Sequence, residues 1–187
     1  MRFIWRCGTL ASVPFYPAQI RLNAEEYRGC RIYFVTICCE KRRPVFAEES
    51  KGRWALAQLM ATSLRHKFTL HAYCIMPDHL HVVVEGATPA CNLVKFVNAF
   101  KQRTGFEHRQ ACGEPLWQTR YYDHILRSRD HIEDVACYVW WNPVRAGLCA
   151  NPKEYALSGS QSIDWMRFSA PVTMWQPPWK PRLSNEV

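Results

Sequence analysis

The chain has 187 residues, 48% of them apolar and 13% aromatic, enough for one ordinary core and too few for two full domains. Its 24 Lys and Arg against 16 Asp and Glu leave a net charge of +8, which favours a polyanionic partner such as nucleic acid. No apolar run reaches the roughly 18 residues that a membrane span needs, and 9 cysteines with no C-x-x-C pair argue against a zinc site or a disulfide scaffold. Most of these cysteines sit in apolar runs such as Ile37-Cys38-Cys39, where a reduced thiol acts as a small hydrophobe, and a cytoplasmic location follows as the expectation.

Residues 1–27 read as an N-terminal extension, and Arg6 and Pro14 make it a poor signal peptide. Arg31 to Cys39 is β-branched and aromatic, a buried strand stopped by Lys41 to Pro44. From Glu49 to His66, Trp54, Leu56, Leu59, Met60 and Leu64 recur near helical spacing. Phe68 to Met76 and His79 to Glu85 are two strands joined through the turn dipeptide Pro77-Asp78 as an antiparallel hairpin. From Cys91 to about Thr104, Leu93, Phe96, Val97 and Phe100 mark the apolar face of a second helix, with Lys95, Lys101 and Arg103 on its other side.

After the loop Gly113 to Pro115, Tyr121 to Arg127 predicts a fourth strand, and Ser128 to Trp141 a third helix opened by a capping box of Asp130 and Glu133. The order β-α-β-β-α-β followed by a helix predicts an α+β, ferredoxin-like sandwich with an antiparallel sheet and an added C-terminal helix. One domain would cover residues 28–149. Residues 150–187, with Pro152, Pro171, Pro177, Pro178 and Pro181 among Trp165, Trp175 and Trp179, read as an irregular tail.

Residues i and i+2 of a strand share a face, so His79 and His81 project side by side and can hold one divalent metal. The same pair also fits an ordinary polar strand face. Tyr138 and Asn142, at i and i+4, share one helical face. That pattern fits equally a core tyrosine followed by a helix C-cap, and Pro143 sets Asn142 at or just past the helix end. Asp78 reads most simply as a turn residue, and His124 as either a partner near the site or a satisfied strand histidine.

Met76-Pro77-Asp78-His79-Leu80-His81, Trp117-Gln118 with Tyr121-Tyr122-Asp123-His124 following, and Tyr138 before Asn142-Pro143-Val144-Arg145-Ala146-Gly147-Leu148 resemble the single-tyrosine HUH transposases. The similarity is strongest to the REP-associated tyrosine transposases and runs from about Tyr33 to Gly147. It implies that His79 and His81 are metal ligands with Asn142 as a third, and that Tyr138 is the nucleophile, leaving a 5′-phosphotyrosine and a free 3′-hydroxyl. Tyr121 and Tyr122 would then be bystanders on the preceding strand.

Imidazole and amide donors suit Mn²⁺ on softness, while abundance favours Mg²⁺. The implied substrate is single-stranded DNA with hairpins, of the kind handled by mobile elements, and the basic candidates to hold it are Lys95, Lys101, Arg103, Arg120, Arg127 and Arg145. The resemblance leaves a homodimer and a monomer both open. Two other readings stand beside it: a catalytically silent protein that binds single-stranded nucleic acid on the same sheet, and a metal hydrolase with a water nucleophile.

Overall fold

The β-branched and aromatic run Ile32–Cys38 forms β1 in the computed structural model, which describes residues 23–127, 130–168 and 175–176. It is followed by α1 (Glu49–His66), β2 (Phe68–Met76), β3 (His79–Gly86), α2 (Leu93–Cys112), β4 (Tyr122–Ile125), α3 (Ile132–Trp140), the short α4 (Asn142–Arg145) and β5 (Ser158–Gly159). The sheet is antiparallel throughout, in the order β4-β1-β3-β2-β5. The expected β-α-β-β-α-β arrangement is therefore present, with β3 between β1 and β2.

Alternation along the strands divides the core in two. Tyr33, Val35 and Ile37 of β1 and Leu80, Val82 and Val84 of β3 pack with Leu59 of α1 and Leu93, Phe96, Val97 and Phe100 of α2. Phe34, Cys74, Met76 and Val83 face the other way and pack against Val135, Tyr138, Val139 and Trp140 of α3. A bulge between Leu70 and Ala72 reverses the parity of β2, so Leu70 joins the first cluster while Ala72 and Cys74 join the second. The histidine pair on β3 thus belongs to a sheet covered on both faces.

Several elements differ from expectation. In α1 the buried positions are Gly52, Ala55, Leu59, Thr62 and Ser63, whereas Leu64 is 83% exposed; small residues let the helix lie close to Leu157, which stands over Gly52. Helix α2 runs eight residues beyond Thr104 to Cys112, because Thr104 and His108 are buried on its inner face and Gly113, at φ +74°, supplies the left-handed stop. Its N-cap is Asn92, whose side chain accepts from the Lys95 amide.

Strand β4 is shorter than the expected span, since β1 offers it only Tyr33 to Thr36. The start expected at Ser128 lies outside the described residues, and α3 begins at Ile132 with His131 as N-cap and no side-chain cap. Asp130 makes no capping box; its Oδ2 accepts from the Arg127 amide and bonds His124 Nε2. The region after Ala150 is not wholly irregular: β5 adds to the edge of β2, pairing Gly159 with Tyr73 and Ser158 with Cys74. The N-terminal extension up to residue 22, and residues 169–174 and 177–187 of the tail, lie outside the described residues.

Four cysteines, Cys39, Cys74, Cys91 and Cys137, are buried, and burial pushes the thiols of Cys39 and Cys74 up to about 12. All four lie in the two core clusters, and Cys91 Sγ also donates to the Lys67 carbonyl at 3.2 Å. Among the described residues no helix is long and apolar enough to cross a membrane.

Gly86 ends β3 where the backbone of Gly29 crosses it. A Cβ there would meet the Gly29 carbonyl oxygen and come within 2.8 Å of Cys91 Cβ. Gly86→Ala should therefore destabilise the fold by about 1–3 kcal/mol, read as a lowered urea midpoint at unchanged slope.

Candidate active site

The register of β1 against β3 sets Thr36 opposite His81 and Cys38 opposite His79, so a hydroxyl lies beside the second imidazole. His81 Nδ1 and Thr36 Oγ1 are 2.8 Å apart. His79 Nδ1 lies 2.5 Å from Asp78 Oδ1, and the other carboxylate oxygen of Asp78 is 2.8 Å from Arg42 Nε. An ionised carboxylate can only accept, so the His79 proton sits on Nδ1 and the Nε2 lone pair is left to face His81 Nε2.

The two Nε2 atoms are 3.0 Å apart, with the rings at 84° to one another. Burial works to raise the Asp78 carboxyl, but the hydrogen bond from His79, joined by the charge of Arg42, outweighs it and holds the group below its ordinary value. It therefore stays a carboxylate, the form that keeps the His79 tautomer fixed. His81 is buried and stacked on Phe34, centroids 5.4 Å apart.

Tyr138 projects from α3 onto the same face of the sheet. Its ring centroid is 6.1 Å from that of His81, 5.9 Å from Phe34 and 5.3 Å from Trp175, and the residue is 4% exposed. The chain immediately after it is governed by Pro143. A continuing helix would bond the Val139 carbonyl to the amide of residue 143, and proline has none.

The Asn142 side chain fills that role: Nδ2 donates to Val139 O at 3.2 Å and to Tyr138 O at 2.9 Å. Arg145 then folds back from α4, its Nη2 donating to Tyr138 O at 2.8 Å and its guanidinium lying 4.4 Å over the Tyr138 ring. The structure thus brings His79, His81 and Tyr138 together. It holds the Asn142 amide nitrogen on the last carbonyls of α3, from the first residue of α4 and just past the C-cap Trp141.

The basic candidates separate by environment. Lys95, Arg120 and Arg127 are exposed. Lys101 Nζ donates to the carbonyls of Gln118 and Thr119 at 2.8 Å and lies over the Tyr121 ring, burial lowering its pKa. Arg103 is paired with Glu107 one helical turn on. His124 is bonded to Asp130 at 3.2 Å, as a satisfied strand histidine would be. Tyr122 sits opposite Thr36 with its ring 6.4 Å from Phe34, so a second phenol shares the histidine face.

Thr36, Arg42, Phe34 and Trp175 escaped the sequence reading, and Asp78 was read only as a turn residue. Its adjacency to His79 was the one available signal, since the others depend on cross-strand register or on tertiary packing. Among the described residues no group of three or more His, Cys, Asp and Glu is arranged to hold a metal ion. The two imidazoles are the nitrogen donors that converge.

Residues 28–141 match the family described as Transposase IS200 like, more than half of the chain, and the protein belongs to that family. The matched span contains His79, His81 and Tyr138 and stops one residue before Asn142. A Haemophilus influenzae protein provisionally named a REP-associated tyrosine transposase is 24% identical over 138 residues, 68% of this chain and 78% of that one. The REP-associated tyrosine transposase of Escherichia coli is 25% identical over 111 residues, 52% of this chain and 62% of that one. The solved structure of a REP-associated tyrosine transposase bound to a REP hairpin is similar in fold, with a TM-score of 0.62 at 18% identity over 86% of this chain and 100% of that chain.

Asn142→Ala removes the side-chain donor to the Tyr138 and Val139 carbonyls. It should cost about 1–3 kcal/mol of stability, seen as a lower thermal midpoint, while Asn142→Gln, which keeps an amide, should recover part of the loss.

Proposed function

We propose that this member of the IS200-like transposase family is a metal-dependent endonuclease and strand-transferase of single-stranded DNA, using Tyr138 as nucleophile through a covalent 5′-phosphotyrosine. The observation that carries the reading is the His79 and His81 pair, whose Nε2 atoms lie 3.0 Å apart while both Nδ1 atoms are engaged, beside the Tyr138 ring. Two nitrogens at that separation match neighbouring ligand positions around a divalent ion bound at about 2.1 Å. The donor set therefore fits Mn²⁺ or Mg²⁺, with His79 and His81 holding the ion and oxygens completing it. Asn142 is a third donor only as far as its capped side chain can offer Oδ1.

A bound divalent ion would polarise the phosphate and offset the charge that repels a nucleophile. Asp78 and Thr36 orient the imidazoles. The Tyr138 oxygen attacks phosphorus and gives up its proton to water or a nearby base as the new O–P bond forms. The P–O3′ bond breaks, its electron pair leaves on the 3′-oxygen, and that oxygen takes a proton to become a hydroxyl. One phosphodiester is exchanged for another, so rejoining follows the same path in reverse.

The +8 charge and the exposed Lys95, Arg120 and Arg127 support a nucleic-acid partner. Hairpin-bearing DNA is the substrate class we assign, on the example of the structural neighbour bound to a REP hairpin.

Incubation with Mn²⁺ and a single-stranded oligonucleotide carrying a hairpin should give a protein-DNA band that survives denaturant. Tyr138→Phe and His79→Ala should abolish the band, and Tyr122→Phe should keep it. An adduct that persists in Tyr138→Phe would overturn the assignment of the nucleophile. A silent binding protein would retain the oligonucleotide without metal and without the band. By calorimetric titration Thr36→Val should weaken Mn²⁺ binding about 10-fold or more, with no loss of fold.

A further inference from the structure

Arg145 differs from the other basic residues in that two separate contacts tie it to Tyr138. Its Nη2 donates to the Tyr138 carbonyl at 2.8 Å, and its guanidinium lies 4.4 Å from the centre of the Tyr138 ring. The first contact fixes the arginine to the backbone of the tyrosine, and the second lays a planar cation on the tyrosine's side chain. Phe34, His81 and Trp175 meet the ring at steep angles, 64° to 74°.

A phenol oxygen is placed by two torsions, and displacement at phosphorus tolerates little error in that placement. A flat guanidinium attracted to the ring quadrupole restrains both torsions, which an ammonium cannot do by stacking. We propose that Arg145 is a positioning residue for Tyr138, holding the ring in the rotamer that faces His81, and that this role outweighs any contact with the DNA backbone. The proposal rests on the reading of Tyr138 as nucleophile.

The test uses the full chain carrying Arg145→Met, which keeps an unbranched stem without donors or charge, and Arg145→Lys, which keeps the charge and a donor. With a hairpin-bearing single-stranded oligonucleotide and Mn²⁺, Arg145→Met should slow adduct formation about 10-fold or more, as loss of orientation predicts. Oligonucleotide affinity, measured with Tyr138→Phe in both proteins to prevent cleavage, should change by less than about 2-fold. Arg145→Lys should restore the rate only in part.

A second readout needs no activity. With 3-fluorotyrosine at position 138, fluorine NMR should show a held ring as two slowly exchanging environments, and Arg145→Met should merge them into one averaged signal. Affinity falling as far as the rate would make Arg145 a DNA contact and overturn the proposal, as would an unchanged rate and fluorine spectrum. If Arg145→Met fails to fold, the same comparison with Arg145→Lys decides. A parent protein that forms no adduct would refute the nucleophile reading alone, and the fluorine spectrum would still decide whether Arg145 clamps the ring.

Discussion

The antiparallel register of β1 against β3 is the constraint on which the site depends. Side chains alternate along a strand, so a slip of one residue would turn Thr36 and Phe34 to the opposite face. His81 would lose both the hydroxyl at Nδ1 and the ring stacked beneath it, and Tyr33, Val35 and Ile37 would leave the first core cluster. The same pairing that buries Val82, Val83 and Val84 aims the imidazoles. Stability and chemistry share one ladder of backbone hydrogen bonds.

Much of the fold was legible because local signals and tertiary packing agree. The bounds of α1 and β2 match expectation, and the junction at Lys67 takes the left-handed conformation that ends a helix. Agreement fails where one residue has two possible uses. Asp130 has the spacing of a capping residue, yet its carboxylate bonds His124 and the indole of Trp175, partners remote from the expected box. Leu64 fits the helical stripe, but Thr62 and Ser63 take the buried side and leave it in solvent.

The grouping of His79, His81 and Tyr138 in the candidate site was legible from their spacing, and what holds them was less so. H-x-H on a strand announces itself by spacing. Thr36 lies 45 residues from His81 and becomes its neighbour only through strand pairing. Asn142 shows the opposite problem: its spacing from Tyr138 suits a shared helical face, while the proline after it opens a gap in the hydrogen-bond ladder that the asparagine amide fills. Both readings draw on the same two residues, and only the donor geometry separates the amide nitrogen from the amide oxygen.

The missing amide of Pro143 also shortens a distance. In an unbroken helix a residue seven positions on lies about 10 Å farther along the axis, and side chains lean towards the N-terminus, so the ring of residue 138 would lean away from it. Ending α3 at Trp140 and restarting at Asn142 lets the Arg145 side chain reach back over the end of α3. Helix termination here works as a hinge pin fixed in one position, converting seven residues of sequence separation into van der Waals contact between an arginine and the tyrosine that precedes it.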